Sequence, residues 1–261
     1  MRSAIGFPPF LMAGHNKWSK VKHIKARVDV VRGKVFSKCA HEIAIAARDG
    51  GGDPTMNARL RAAIDNAKSV SMPKDKIERA IRKGTGELGG EAIQETTYEG
   101  YGPEGIAFLI EAATDNLNRT AADMRSIFTK GGGSVADPGS VAYQFDRKGE
   151  IRIEADGIGE EAIMEAAILA GADDVSRDEE EHVVLTAPDA LAAAADSLER
   201  QGFKPKTRKL VSLPQNPIEV SEVGRARQVM DLFDKLDDHP DVINVFTNFD
   251  VTDEVLGQLE D

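Results

Sequence analysis

Residues 96–112 read TTYEGYGPEGIAFLIEA. Two runs rich in Thr, Tyr, Ile and Phe flank Gly102-Pro103-Glu104-Gly105, the pattern of two antiparallel strands joined by a tight turn. Downstream, Asn118 caps a helix that carries Met124, Ile127 and Phe128 at helical spacing and stops at Gly131 to Gly133; Val141 to Phe145 then alternates like a third strand. Strand, strand, helix, strand leaves a sheet half covered. The missing helix and strand appear only much later, as Glu222 to Leu236 and Val242 to Phe249. Between them lies a complete second set. It comprises a strand at Glu150–Glu154, a helix at Glu160–Ala170, a strand at His182–Thr186, a helix at Asp189–Gln201 and a strand at Thr207–Ser212. One compact α+β unit is therefore expected inside another, with Pro214 and Pro217 marking the return.

Upstream of the hairpin the period is helical. Val35, Phe36, Cys39, Ile43 and Ala47 share one face, Gly50 to Gly52 end that helix, and Asp53-Pro54 opens a second with Leu60, Ile64 and Ala67 inward. Ser71 and Pro73 open a third, through Ile77 and Ile81 to Gly84. The run from Gly84 to Gly90 has linker composition. The expected organisation is an extension at 1–11, a basic helical domain at 12–83, a linker at 84–90, a discontinuous domain at 91–147 and 216–261, and an inserted domain at 148–215.

At 261 residues, 41% hydrophobic and 30% charged, the chain has the balance of a globular protein with more than one core. No apolar run reaches the ~20 residues of a membrane-spanning helix, so no membrane is expected. Residues 1–11 match neither a secretory signal nor a mitochondrial presequence and read as an upstream start or extension. One cysteine, Cys39, excludes an intramolecular disulfide and a multi-thiolate zinc site, and fits a reducing cytoplasm. The net charge of −11 hides a division: Met12 to Lys83 holds seventeen Lys and Arg against seven Asp and Glu, or +10, while the rest, Arg2 aside, carries −22. A basic module concentrates polyanions and an acidic body repels them, so one end is built to meet phosphate.

The densest cationic run gives the candidate contact residues: Lys17, Trp18, Lys20, Lys22, His23, Lys25, Arg27, Arg32, Lys34 and Lys38. Between Met12 and Lys38 the single acid is Asp29. Cations neutralise phosphates, and an indole can stack on a base for ~1–3 kcal/mol. The blander alternative is a Trp packed on the bundle with a solvated charged face around it.

No enzyme is indicated. Cys39 and His41, two apart on a helix, point to different faces and form no dyad. Cys39 belongs to the apolar stripe. Gly131-Gly-Gly-Ser134 lacks the Lys and Ser or Thr that a P-loop needs, and reads as a helix stop. Asp173, Asp174 and Asp178 to Glu181 lack the spacing of a calcium loop and read as an exposed acidic turn. No metal, no cofactor and no small-molecule substrate is expected.

Six separated signatures carry a family resemblance: Met12-Ala-Gly-His-Asn-Lys-Trp-Ser19, Arg32-Gly-Lys-Val-Phe36, Tyr98-Glu-Gly-Tyr-Gly-Pro103, Thr114-Asp-Asn-Leu-Asn-Arg-Thr120, Gly139-Ser-Val-Ala-Tyr143 and Thr247-Asn-Phe-Asp250. From Met12 onward the chain resembles the YebC/PmpR family. The resemblance implies an α+β protein with an N-terminal three-helix domain plus two ferredoxin-like α/β sandwich domains, one inserted in the other. It also implies a nucleic-acid-binding regulator of gene expression, the family being described as DNA-binding transcriptional regulators. The alternative is a ribosome-associated translation factor that meets ribosomal RNA and relieves stalling at proline-rich stretches; a mitochondrial relative is a translational activator. A metal-dependent nuclease is the weaker alternative. Two departures stand out: Glu104 where the family commonly has Gly, which bears on the turn type, and Ser19-Lys20 for Ala-Asn, which adds positive charge.

Overall fold

The structure, a computed structural model, describes residues 28–89, 91–178 and 180–260, with side chains described at all of these except 28–34, Asp253 and Glu260. It is an α+β protein: a three-helix bundle followed by two four-stranded α/β sandwiches, one inserted in the other. The residues Gln144–Asn216 form one compact unit, and the described residues before and after them form another.

The described residues begin with three helices: α1 (Val28–Gly50), α2 (Ala58–Ser69) and α3 (Lys74–Gly84). Their apolar stripes meet as expected, with Cys39, Ile43 and Ala47 buried against Leu60, Ile64 and Ala67 from α2 and Ile77 and Ala80 from α3. The cap of α2 is Asn57 rather than Asp53-Pro54. The Asn57 carboxamide oxygen accepts from the Leu60 N–H at 3.0 Å, and its NH2 donates to the carbonyls of Ala46 and Gly51. Asp53 instead closes a local turn by accepting from the Thr55 N–H and hydroxyl, a pattern that short acidic side chains favour outside helices.

The decisive hairpin follows. Strand β1 (Gln94–Tyr101) pairs antiparallel with β2 (Ala107–Thr114), joined by a 3-10 turn at Pro103–Gly105. Glu104 sits in the left-handed region, φ 59°, a conformation that glycine adopts more readily than a residue with a Cβ. Helix α4 (Leu117–Lys130) is capped by Asn116, whose side chain accepts from the Arg119 N–H, and not by Asn118, which lies inside the helix. Gly100 admits the close approach of this helix, because a Cβ there would stand 2.5 Å from the Phe128 ring. Strand β3 is Ser134–Ala136 and pairs with β1. The expected strand at Val141–Phe145 does not form; Ala142–Gln144 is a 3-10 turn. Its alternation is genuine, but the Glu99 carboxylate accepts from the backbone N–H groups of Gly139, Val141 and Ala142, which are thereby lost to any ladder.

The inserted unit runs β4 (Phe145–Glu154), α5 (Glu160–Leu169), β5 (Asp174–Asp178), β6 (Glu181–Thr186), α6 (Leu191–Arg200) and β7 (Thr207–Pro214). Its sheet order is β5-β6-β4-β7, all antiparallel, which is the ferredoxin-like βαββαβ order. Ile151, Ile153 and Val184 pack under Ile163, Ala167, Ala194 and Leu198 of the two helices. The edge strand β5 was not expected; of the acids read as an exposed acidic turn, Asp173 and Asp174 stand at its start and Asp178 at its end. Asp174-Val-Ser-Arg-Asp178 holds a single apolar residue, so it gives no hydrophobic run, yet Val175 faces the helices while Asp178 lies nearly buried.

The chain then returns as β8 (Ile218–Val220), α7 (Val223–Asp237), β9 (Val242–Thr247), β10 (Phe249–Val251) and α8 (Asp253–Glu260). Strand β9 joins β2, giving the order β3-β1-β2-β9 with both central strands from the hairpin. Phe108, Ile110, Met124, Phe128, Val229 and Phe233 form the core beneath α4 and α7, with Phe108 and Phe128 edge to face at 5.9 Å. The expected strand through Phe249 breaks at Asn248. Its side-chain oxygen accepts from the Ala107 N–H and its carbonyl accepts from the Ile218 N–H, handing the chain from β9 to a parallel β8–β10 pair. Among the described residues no helix is long and apolar enough to cross a membrane.

Candidate nucleic-acid interface

Seven of the bundle's described cations form two sets. The first set fastens the bundle to the sandwich that follows it. The Lys38 ammonium lies 2.6 Å from an Asp237 carboxylate oxygen at the end of α7, both side chains about a quarter exposed. Arg48 donates to the Ile93 carbonyl and pairs with Asp49 and Glu95; Arg59 bridges the same two carboxylates at 2.8 and 3.1 Å. Lys83, at the end of α3, pairs with Asp115 at 3.1 Å. A small apolar contact lies beneath these pairs, made by Ala44 and Ile45 of α1 with Ile93, Ala113 and Ile243.

Asp115 leads into a polar cluster at the start of α4. One Asp241 oxygen accepts from the hydroxyls of Thr120 (2.7 Å) and Thr114 (3.1 Å) and from the Arg119 guanidinium (2.9 Å). Burial alone would raise this carboxyl, but those donors overcome it and hold Asp241 below the ordinary aspartate value. His239 accepts from the Asp241 N–H through Nδ1 and faces Asp123 at 3.2 Å through Nε2, so a neutral ring protonated on Nε2 satisfies both partners. His41 on α1 is held below the ordinary histidine value by burial, and its Nδ1 has no hydrogen-bond partner among the described residues. Burial likewise pushes the Cys39 thiol, which lies in the bundle core, up to about 11 and raises Glu42. The described residues hold no group of three His, Cys, Asp or Glu able to take a metal ion.

The second set faces solvent. Lys76, Arg79 and Arg82 of α3 are exposed and pair with no carboxylate among the described residues. The Lys76 ammonium stands 5.1 Å from the centre of the Phe36 ring on α1, a cation–π contact.

Of the ten residues expected to touch nucleic acid, Lys17, Trp18, Lys20, Lys22, His23, Lys25 and Arg27 lie outside the described residues. Arg32 and Lys34 stand in the first two turns of α1, their side chains undescribed, and Lys38 is the ion-pair partner of Asp237. Sequence reasoning missed the fastening role of Arg48, Arg59 and Lys83, since their partners are far away in the chain. It also did not single out the exposed cations of α3, which were legible as Lys76, Arg79 and Arg82 at spacings of three.

A basic helical bundle fastened by ion pairs to one α/β sandwich that carries a second within it defines a small class of proteins. Residues 16–87 match the TACO1/YebC protein N-terminal domain, and residues 93–249 match the TACO1/YebC second and third domain. The chain belongs to this family. A protein of Akkermansia muciniphila is 55% identical over 250 residues, covering 95% of this chain and all of the relative. One of Geotalea uraniireducens is 48% identical over 248 residues, again with 95% and 100% covered. Both are named "probable transcriptional regulatory protein". Among solved structures, a conserved hypothetical protein of Aquifex aeolicus is similar with a TM-score of 0.82 at 42% identity, covering 90% of this chain and 97% of that one.

Proposed function

We propose that this protein is a cytoplasmic, non-enzymatic regulator of gene expression that binds duplex DNA through its basic amino-terminal end. The charge division carries the reading: +10 from Met12 to Lys83 against −22 over the remainder, Arg2 aside. Fields of that size draw a polyanion to one end and keep it off the other. The inserted sandwich agrees. The face of its sheet away from the helices carries Glu150, Arg152, Asp178 and Glu181 in mutual ion pairs, where a sheet that binds RNA would present stacking aromatics. Names of the relatives point the same way.

A second reading, a ribosome-associated factor that meets ribosomal RNA, is favoured by one observation. Both amide side chains of the described bundle are engaged internally, Asn57 as a cap and Asn66 with Glu42, so neither is free to read an adenine edge. Contact would then be mainly with backbone, which positions a protein without specifying sequence.

The test of the shared claim is salt. Log affinity for a DNA duplex should fall linearly with log salt by about 0.9 per phosphate neutralised, and replacing Lys17, Lys20, Lys22 and Lys25 by Ala should weaken binding evenly across sequences. A flat response to salt removes the reading. Crosslinking in cells with sequencing of the attached nucleic acid separates the two versions: promoter DNA supports the first, ribosomal RNA the second.

A further inference from the structure

We infer that the solvent face of α3 is a phosphate-binding surface in its own right, built by Lys76, Arg79 and Arg82, which holds the backbone of a DNA duplex beside the amino-terminal arm. The inference rests on the proposed function and locates a contact in a different part of the chain from the arm. Its starting point is the division of the bundle's cations. Lys38, Arg48, Arg59 and Lys83 all reach carboxylates, most of them on the neighbouring sandwich, and their charge is neutralised at home. Lys76, Arg79 and Arg82 are exposed to solvent, while Ile77 and Ala80 of the same helix are buried in the bundle core. Two acids share the helix. Glu78 is occupied by Lys74 at 3.6 Å, and Asp75 stands in the first turn, where the helix dipole favours a negative charge.

The dimensions fit a backbone. Six residues separate Lys76 from Arg82, about 9 Å of helix axis at ~1.5 Å per residue. A DNA duplex presents a phosphate every ~1.7 Å of its axis, counting both strands, so three cations over that span have about three phosphates within reach of their side chains. The chemistry of the row selects a duplex over a single strand. It contains no aromatic to stack on an unpaired base, and the nearest ring, Phe36, is covered by Lys76. Position ties the row to the arm: Phe36 lies one helical turn beyond Arg32, so the α3 surface adjoins the end of α1 from which the basic run extends.

The experiment compares three forms of the full chain on one 20-base-pair DNA duplex across a salt series, with a single strand of equal length as competitor. The forms are wild type, the triple variant Lys76→Gln, Arg79→Gln, Arg82→Gln, and the charge-retaining triple Lys76→Arg, Arg79→Lys, Arg82→Lys. The Gln variant should lower the steepness of log K against log salt by about 2 to 3, at ~0.9 per phosphate, with its melting temperature near wild type. The charge-retaining variant should keep the wild-type slope, and the duplex should outcompete the single strand. A steep wild type with an unchanged Gln variant overturns the α3 surface while leaving the arm intact. Equal losses in both triple variants overturn it too, since shape and not charge would then be responsible. Preference for the single strand overturns the duplex assignment. A flat wild type sinks the parent reading along with this one.

Discussion

The ammonium of Lys38 and the carboxylate of Asp237 meet at 2.6 Å across 199 residues of sequence, joining the first helix of the basic bundle to the last turn of α7. Both side chains are partly shielded, so the pair exceeds an exposed surface bridge but falls well short of a buried one. Lys38→Gln and Asp237→Asn should each cost about 1 kcal/mol in urea unfolding. The double variant should cost less than the sum of the singles, with a coupling of roughly 0.5–1 kcal/mol. Strict additivity would mean that the contact does not hold the two parts together.

Glu99 illustrates how a single carboxylate can reroute a chain. It accepts three backbone N–H groups, from Gly139 at 2.7 Å, Val141 at 2.6 Å and Ala142 at 2.9 Å. Burial pushes this carboxyl up, but the three donors outweigh it and hold Glu99 below the ordinary glutamate value. A carboxyl lowered on folding adds stability above its unfolded value, ~4.3, and loses it as pH falls through the folded one. Glu99→Gln leaves one oxygen to serve donors that used two, and should cost about 2–3 kcal/mol at pH 7. The variant should also show a shallower loss of stability below about pH 4 than wild type. An identical acid-unfolding curve would contradict this.

The same residue shows where the sequence was legible and where it was not. Local periodicity announced the bundle, the hairpin, α4 and α7, because each buries one face at a fixed spacing. It failed at Val141–Phe145, where the backbone donors are captured by a side chain 40 or more residues away, and at β5, where a lone Val175 anchors an edge strand of charged residues. The interface divides in the same way. Cationic density around Lys17 to Lys38 was visible as composition, whereas the neutralisation of Lys38 by Asp237 depends on a partner that no local pattern could identify.

Ser71 supplies a local test. It follows α2 in the left-handed region, φ 62°, with its N–H on the Lys68 carbonyl and the Met72 N–H on the Ala67 carbonyl, the paired bonds of a Schellman C-cap. Glycine adopts that conformation without a Cβ penalty. Ser71→Gly should therefore raise the unfolding free energy by about 0.5–1 kcal/mol despite the greater freedom of the unfolded chain, and a thermal melt reads it directly. A lower melting temperature would show that the Ser71 side chain makes a compensating contribution.

Arg152 tests the inserted sandwich alone. Its guanidinium, a fifth exposed, donates to Glu150 at 3.0 Å and to Asp178 and Glu181 at 3.1 Å, and Glu150 and Asp178 are themselves only 8% exposed at the side chain. Burial opposes the charged guanidinium, but the carboxylates around it prevail and Arg152 stays charged. Removing the cation takes a shared partner from Glu150, Asp178 and Glu181, with Lys209 still beside Glu150 and Lys206 beside Glu181. Arg152→Met should cost about 3–5 kcal/mol, far more than a partly exposed pair such as Lys38 and Asp237. Because Glu150 without its cation would resist ionisation, much of that loss should return as pH falls toward 5, the same direction as in the Glu99 variant but starting at higher pH. Nucleic-acid binding should persist under conditions where the variant stays folded, since the proposed interface lies on the basic amino-terminal end; a loss of binding there would place part of the interface on the insert.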